Sequence, residues 1–252
     1  MDLELTGKRV LVTGGTRGIG RATVAAFLDE GARVGFCARN AEEVARTEAE
    51  LASRGTVHGA SVDVGDKEAL AAWVNACAEE FGGLDVVVAN VSALAIPDTE
   101  ENWERSLNVD LMHTVRLVNA AMPYLKRSDA PSIVAISSVS GRESDFASGP
   151  YGTAKTAIVG YLHGLAFQLA EQGVRANTVS PGNTYFEGGI WANVEQNDHA
   201  LFDTAMDLNP TGRMGRPEES AAAVVFLASP RASRISGTNL VVDGALTRGI
   251  QL

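Results

Sequence analysis

The chain has 252 residues and 45% hydrophobic content, enough for a sizeable core in one large domain or two small ones. Its 21 Lys and Arg against 31 Asp and Glu leave a formal charge of −10 at pH 7. Such a surface repels phosphate backbones and anionic lipid heads, so neither a nucleic-acid partner nor a membrane surface is expected. No stretch approaches the roughly 18 uninterrupted apolar residues of a membrane span. Residues 1–9 carry acids and lack the basic-then-apolar order of a secretory signal. Cys37 and Cys77 form neither a CxxC pair nor part of a ligand cluster, so they read as buried free thiols suited to a reducing cytoplasm.

Short apolar runs alternate with helical patterns from end to end. Strands are expected at 9–13, 33–38, 56–62, 85–89, 132–137, 175–179 and 239–242. Most are near-continuous Val, Ile, Leu and Ala, as in parallel strands buried on both faces. Helices are expected at 18–29, 41–54, 67–81, 103–126, 151–171 and 218–228. The alternation describes an α/β fold: one Rossmann-like, doubly wound parallel sheet of about seven strands with helices on both faces. No repeat, low-complexity tract or linker divides it, so residues 1–252 form a single domain. One long irregular region, 183–217, mixes Tyr185, Phe186, Trp191 and Phe202 with Glu187, Glu195, Asp198, Asp203 and Asp207. Loops of that length are usually functional or disordered, and a surface insertion is the alternative to a functional segment. The region reads as a substrate lid, with a helical stretch near 200–208.

The first strand runs through Thr13-Gly14-Gly15-Thr16-Arg17-Gly18-Ile19-Gly20 directly into a helix. Glycines there allow a tight turn and let a pyrophosphate reach the amides of the helix N-terminus. The strand before, the helix after and a second strand within about 30 residues supply the context of a dinucleotide site. The spacing Gly14-x3-Gly18-x-Gly20 resembles the TGxxxGxG turn of the short-chain dehydrogenase/reductase family.

The resemblance extends along nearly the whole chain. It implies that Asp63, with Val64 after it, meets the adenine, and that Asn90 steadies the sheet beside the cofactor. Ala89-Asn90-Val91-Ser92 departs from the family's NNAG segment. By the same resemblance Asn108, Ser138, Tyr151 and Lys155 match the catalytic tetrad, Asn108 holding a water that relays protons from Lys155. Pro181-Gly182 matches the loop beside the nicotinamide. Where the family commonly has Thr four residues after that glycine, this chain has Phe186, with Thr184 shifted nearby. Val241-Val242-Asp243-Gly244 matches the C-terminal VDG.

The chemistry is also legible in the residues themselves. Tyr151 and Lys155 lie four apart and share one helix face. Ser138 follows a strand's C-terminal end, where open α/β sheets bind ligands. A free tyrosine hydroxyl titrates near about 10, and an adjacent ammonium favours the phenolate. A serine hydroxyl can hydrogen-bond a substrate oxygen as charge develops on it. His58, His113, His163 and His199 show no ligand spacing, and no metal site is expected.

Cofactor choice turns on the end of the second strand. An aspartate there bonds the adenine ribose of NAD and repels a 2′-phosphate. This chain has Ala38 followed by Arg39, and Arg17 in the turn is a second cation. Two arginines can pair a dianionic phosphate, so NADP(H) is expected over NAD(H). The reaction expected is hydride transfer between NADP(H) and a small carbonyl or secondary alcohol. A 3-oxoacyl-[acyl carrier protein] reductase is the alternative, with Lys126, Arg127 and Arg175 as a modest docking patch for an acidic carrier. A non-catalytic NADP(H)-binding regulator is a third reading, disfavoured by retention of all four tetrad positions. The family's assembly habit, with small residues at Ala157, Gly160 and Gly164 and an apolar end at 244–252, implies a homotetramer, with a dimer as the alternative.

Overall fold

A computed structural model describes residues 1–250. Seven parallel strands form one sheet in the order β3-β2-β1-β4-β5-β6-β7. They are β1 (Arg9–Thr13), β2 (Arg33–Ala38), β3 (Val57–Ser61), β4 (Val86–Ala89), β5 (Ser132–Ile136), β6 (Arg175–Pro181) and β7 (Asn239–Val242). The strand order reverses between β1 and β4, so the crevice beyond their carboxyl ends is the expected ligand position.

Alternate residues of each strand feed two cores. Leu11, Val87, Ile133 and Ala135 face α3 (Lys67–Phe81), α5 (His113–Leu125) and α6 (Pro150–Leu169) through Trp73, Leu117 and Ile158. Val10, Val12, Val34 and Val134 face the other way, onto α1 (Gly18–Asp29), α2 (Ala41–Leu51) and α9 (Pro217–Ala228) through Phe27, Val44 and Val224. A strand's period of two is what divides its side chains between opposite faces. Cys37 and Cys77 are free and buried, and burial pushes each thiol up to about 12, so both stay protonated.

Two expected elements differ. The helix expected over 103–126 is interrupted. α4 (Glu100–Ser106) passes into a π-helical segment, Leu107–Met112, before α5 resumes. A π turn inserts one residue into the helical register, which apolar periodicity cannot resolve, and such bulges favour functional sites. The region 183–217 is largely ordered, with α7 (Ile190–Asn197) and α8 (His199–Leu208) closing on each other. Trp191, Ala205 and Met214 form a small core of its own. α8 was legible near 200–208. α7 is eight residues long and has no side-chain cap, so neither period nor capping signalled it. Gln251 and Leu252, the end of the segment expected to reach a neighbouring subunit, lie outside the described residues.

One interaction expected of the surface is internal. Arg175 is 8% exposed, and its guanidinium donates to the carbonyls of Leu227, Ala228, Ser229 and Ile235. It satisfies carbonyls that the end of α9 leaves open. It is therefore no part of a docking patch. Among the described residues no helix is long and apolar enough to cross a membrane.

Candidate active site

The glycine turn is built by close approach. Gly14 and Gly15 donate their amides to the Cys37 carbonyl at 2.8 and 3.1 Å, which seats the turn against the end of β2. A Cβ on Gly20 would lie 2.0 Å from the Gly14 carbonyl oxygen, so only glycine fits. α1 then starts from Arg17, extended, with no side-chain cap and no acid in its first turn. The amides at its start, around Gly18, Ile19 and Gly20, have no capping side chain, a fit for a dinucleotide pyrophosphate.

Around this cradle stand the other expected cofactor residues. Asn90 donates its side-chain amide to the Thr13 and Gly14 carbonyls at 3.0 and 3.2 Å, joining the ends of β1 and β4. Thr16 Oγ1 lies 3.5 Å from a Glu43 carboxylate oxygen. Ala38 is half-buried, whereas Arg17 and Arg39 are exposed and form no ion pair among the described residues. Both arginines are thus free to take an anion at the end of β2. Asp63 is exposed and caps its own turn by accepting from the Gly65 amide at 2.9 Å, while Val64 is buried in the core. Pro181 ends β6, and Gly182 donates its amide to Val242 while lying against Asp243. Thr184 folds its hydroxyl back onto the Gly182 carbonyl at 3.0 Å. Phe186 lays its ring against Gly18, so the segment after β6 closes onto the glycine turn.

The chemistry-bearing residues gather at the carboxyl end of β5. Ser138 follows the strand and opens the turn Val139–Gly141, its hydroxyl accepting from the Ser140 amide. That turn presses on α6: a Cβ on Gly141 would lie 2.8 Å from the Lys155 carbonyl carbon. The Ser137 hydroxyl donates to the Lys155 carbonyl at 2.9 Å, pinning the same helical turn from the strand side. Lys155 is 2% exposed, donates to the Ile136 carbonyl at 3.1 Å, and stands 5.5 Å from the centre of the Tyr151 ring. Tyr151 is half-buried.

The fourth expected residue is elsewhere. Asn108 accepts from Arg116 at 2.8 Å and lies beside Gly65. The side chain facing Lys155 is Asp110, whose Oδ1 lies 3.3 Å from the ammonium. Positions two apart on a helix point roughly 200° from each other, so only one of the pair can face α6. The expectation for Asn108 is corrected accordingly. A signal existed. Asp110 lies on one buried stripe with Thr114, Leu117, Ala121 and Leu125, and Asn108 does not. His113, expected to have no role, is buried beside this pair. Its Nδ1 meets the Val109 carbonyl, which makes Nδ1 the donor, and Nε2 lies 3.2 Å from the Thr13 hydroxyl. Burial, assisted by the Lys155 charge, holds its pKa down at about 4, so the ring is neutral at pH 7. Among the described residues no cluster of His, Cys, Asp or Glu could hold a metal ion.

A dinucleotide cradle at the sheet's switch point, with a tyrosine and a lysine one helical turn apart beside a strand-end serine, defines a nicotinamide-type oxidoreductase. The family described as Enoyl-(Acyl carrier protein) reductase matches residues 14–247. The isoepoxydon dehydrogenase of Penicillium expansum is 41% identical, over 98% of this chain and 97% of its own. A 3-oxoacyl-[acyl-carrier-protein] reductase of Vibrio cholerae is 32% identical, over 97% and 99%. A solved short chain dehydrogenase from Burkholderia cenocepacia, in complex with NADP, superposes with a TM-score of 0.88 at 30% identity, covering 96% of this chain and 98% of that one. The chain belongs to the short-chain dehydrogenase/reductase family.

Proposed function

We propose that this chain transfers a hydride between NADP(H) and a small secondary alcohol or ketone, with Tyr151 as the general acid or base. The observation that carries the reading is the Tyr151–Lys155 pair, anchored by Ser137 and Ile136 beside the Ser138 turn. In reduction Tyr151 gives its proton to the carbonyl oxygen; in oxidation it takes the alcohol's proton. Lys155 steadies the negative charge on the phenolate oxygen, and Ser138 donates a hydrogen bond to the substrate oxygen. Bound NADP(H) supplies the hydride chemistry. The amides of Gly18, Ile19 and Gly20 would hold its pyrophosphate, Asp63 and the Val64 backbone its adenine, and Pro181, Gly182 and Thr184 its nicotinamide end. Arg17 and Arg39 would take the 2′-phosphate, and the likeness to the NADP-bound relative supports that choice.

A free substrate is favoured over one tethered to an acidic carrier protein. With Arg175 buried, the basic docking patch shrinks to Lys126 and Arg127, which follow α5 and precede β5. They stand at the amino edge of the sheet, and Ser138 stands at the carboxyl edge. A five-residue strand separates them by roughly 16 Å. The similarity to the Penicillium isoepoxydon dehydrogenase, whose name gives no carrier-bound substrate, supports a free one. A cofactor-linked absorbance assay should give higher kcat/KM for free hydroxy-ketones than for 3-oxoacyl thioesters of acyl carrier protein. The reverse order would favour the carrier reading.

The enzyme is expected in the cytoplasm, where its unpaired thiols suit a reducing environment. Assembly as a homotetramer through α5 and α6 is supported by the outward face of α6. Phe167 is 86% exposed there, and Gly160 and Gly164 have open space at their Cβ positions. Light scattering at micromolar concentration should read a tetramer, and a monomer would contradict it.

A further inference from the structure

Asp110 is a carboxylate with no exposure at all, and it faces Lys155 where the family resemblance had implied the amide of Asn108. Its Oδ2 accepts from the Ala93 amide at 3.1 Å and lies 3.3 Å from the Ser106 hydroxyl, which also reaches the Pro150 carbonyl. Its Oδ1 is buried and has no hydrogen-bond partner among the described residues. What it does have is the Lys155 ammonium at 3.3 Å, an ion contact. A buried charge is tolerated only when it is paired, and each member of this pair is the other's partner.

We propose that Asp110 is the buried counter-ion of Lys155 and a positioning residue for the reaction, holding the ammonium beneath Tyr151 and raising the pH at which Tyr151 serves as a base. The inference rests on the acid–base reading of Tyr151. Lys155 favours the phenolate through its positive charge; a carboxylate 3.3 Å away offsets part of that charge. With Asp110 ionised, forming the phenolate leaves the trio of Asp110, Lys155 and Tyr151 at net −1. With a neutral amide there it would be left at zero.

The other charged groups around the pair do not duplicate this effect. On α5, His113 is neutral at pH 7. β5 contributes the Ile136 carbonyl, and the turn Val139–Gly141 has no titratable side chain. On β6, Arg175 is engaged by carbonyls at the far end of the strand. Glu100, Glu101, Glu104 and Arg105 of α4 are exposed and screened, as is Glu171 beyond α6.

The test uses the full-length enzyme with its cofactor. Asp110→Asn should move the pH midpoint of kcat/KM for alcohol oxidation downward by about one unit, and the falling limb for ketone reduction should move the same way. A residue that serves the fold alone would lower the rate at every pH without moving the midpoint. An unmoved or raised midpoint overturns the proposal. Because Asp110→Asn can weaken the fold, thermal stability in a second background supplies an independent reading. Lys155→Met strands Asp110 as an unpaired buried charge and should lower Tm. Adding Asp110→Asn to Lys155→Met should restore part of that loss. A double variant no more stable than Lys155→Met overturns the pairing. If Tyr151→Phe retained turnover, the acid–base reading would fail while this stability comparison could still read the pair.

Discussion

Tyr151→Phe is expected to lower kcat by about three orders of magnitude with the fold and cofactor affinity nearly unchanged. The substitution removes one hydroxyl from a half-buried ring and disturbs no hydrogen bond among those that pin α6 to β5. The ring stays in place over Lys155, so the loss reads proton transfer alone. Lys155→Ala should behave differently. It takes away the ammonium that steadies the phenolate and leaves Asp110 buried without its partner, so rate and stability fall together. Steady-state kinetics with cofactor titration and thermal melts of both variants separate the two patterns. Near-normal kcat in Tyr151→Phe would end the acid–base assignment.

A second large effect is expected at the end of β2. Gly14 and Gly15 are bonded to the Cys37 carbonyl, so Ala38 and Arg39 stand directly beside the glycine turn. Arg39→Ala should weaken NADPH about tenfold or more by losing a charge-assisted contact, with little change for NADH. Ala38→Asp adds a carboxylate that repels the 2′-phosphate and accepts hydrogen bonds from a bare ribose. The double variant should prefer NADH. Added salt should shrink the wild-type preference, because both arginines are exposed. Values of kcat/KM for both cofactors in wild type and variants check this. If Arg39→Ala lowers both cofactors equally, the arginine serves the fold and the phosphate contact is lost from the account.

The parts of this molecule that could be read from its residues are those in which chemistry and local geometry coincide. The glycine turn was legible because Gly14, Gly18 and Gly20 have a backbone reason for their spacing. Tyr151 and Lys155 were legible because four residues make one helical turn. The strands were legible as apolar runs, with ends shifted by a residue or two where pairing stops, as at Val57 and Ile136. What could not be read depends on which side of an element faces inward. The π segment rotates Asp110 toward Lys155 and Asn108 toward Gly65, a choice made by one inserted residue and not by composition. Arg175 looked like surface charge, yet its strand delivers it under the end of α9, where four carbonyls compensate its burial. In the segment 183–217, Trp191 and Met214 pack only because the chain folds back on itself, a tertiary contact with no local signature.

Hydride passing between NADP(H) and a carbonyl carbon beside Tyr151 is the event on which the assignment turns. Single-turnover reaction with NADPH deuterated at the transferring position tests it most directly. Wild-type enzyme should place deuterium on the carbinol carbon of a reduced ketone, and Tyr151→Phe should bind the same labelled cofactor yet yield almost none. Tight NADPH binding with no label transferred to any ketone or hydroxy-ketone by wild type would contradict the account and leave a cofactor-binding protein without turnover.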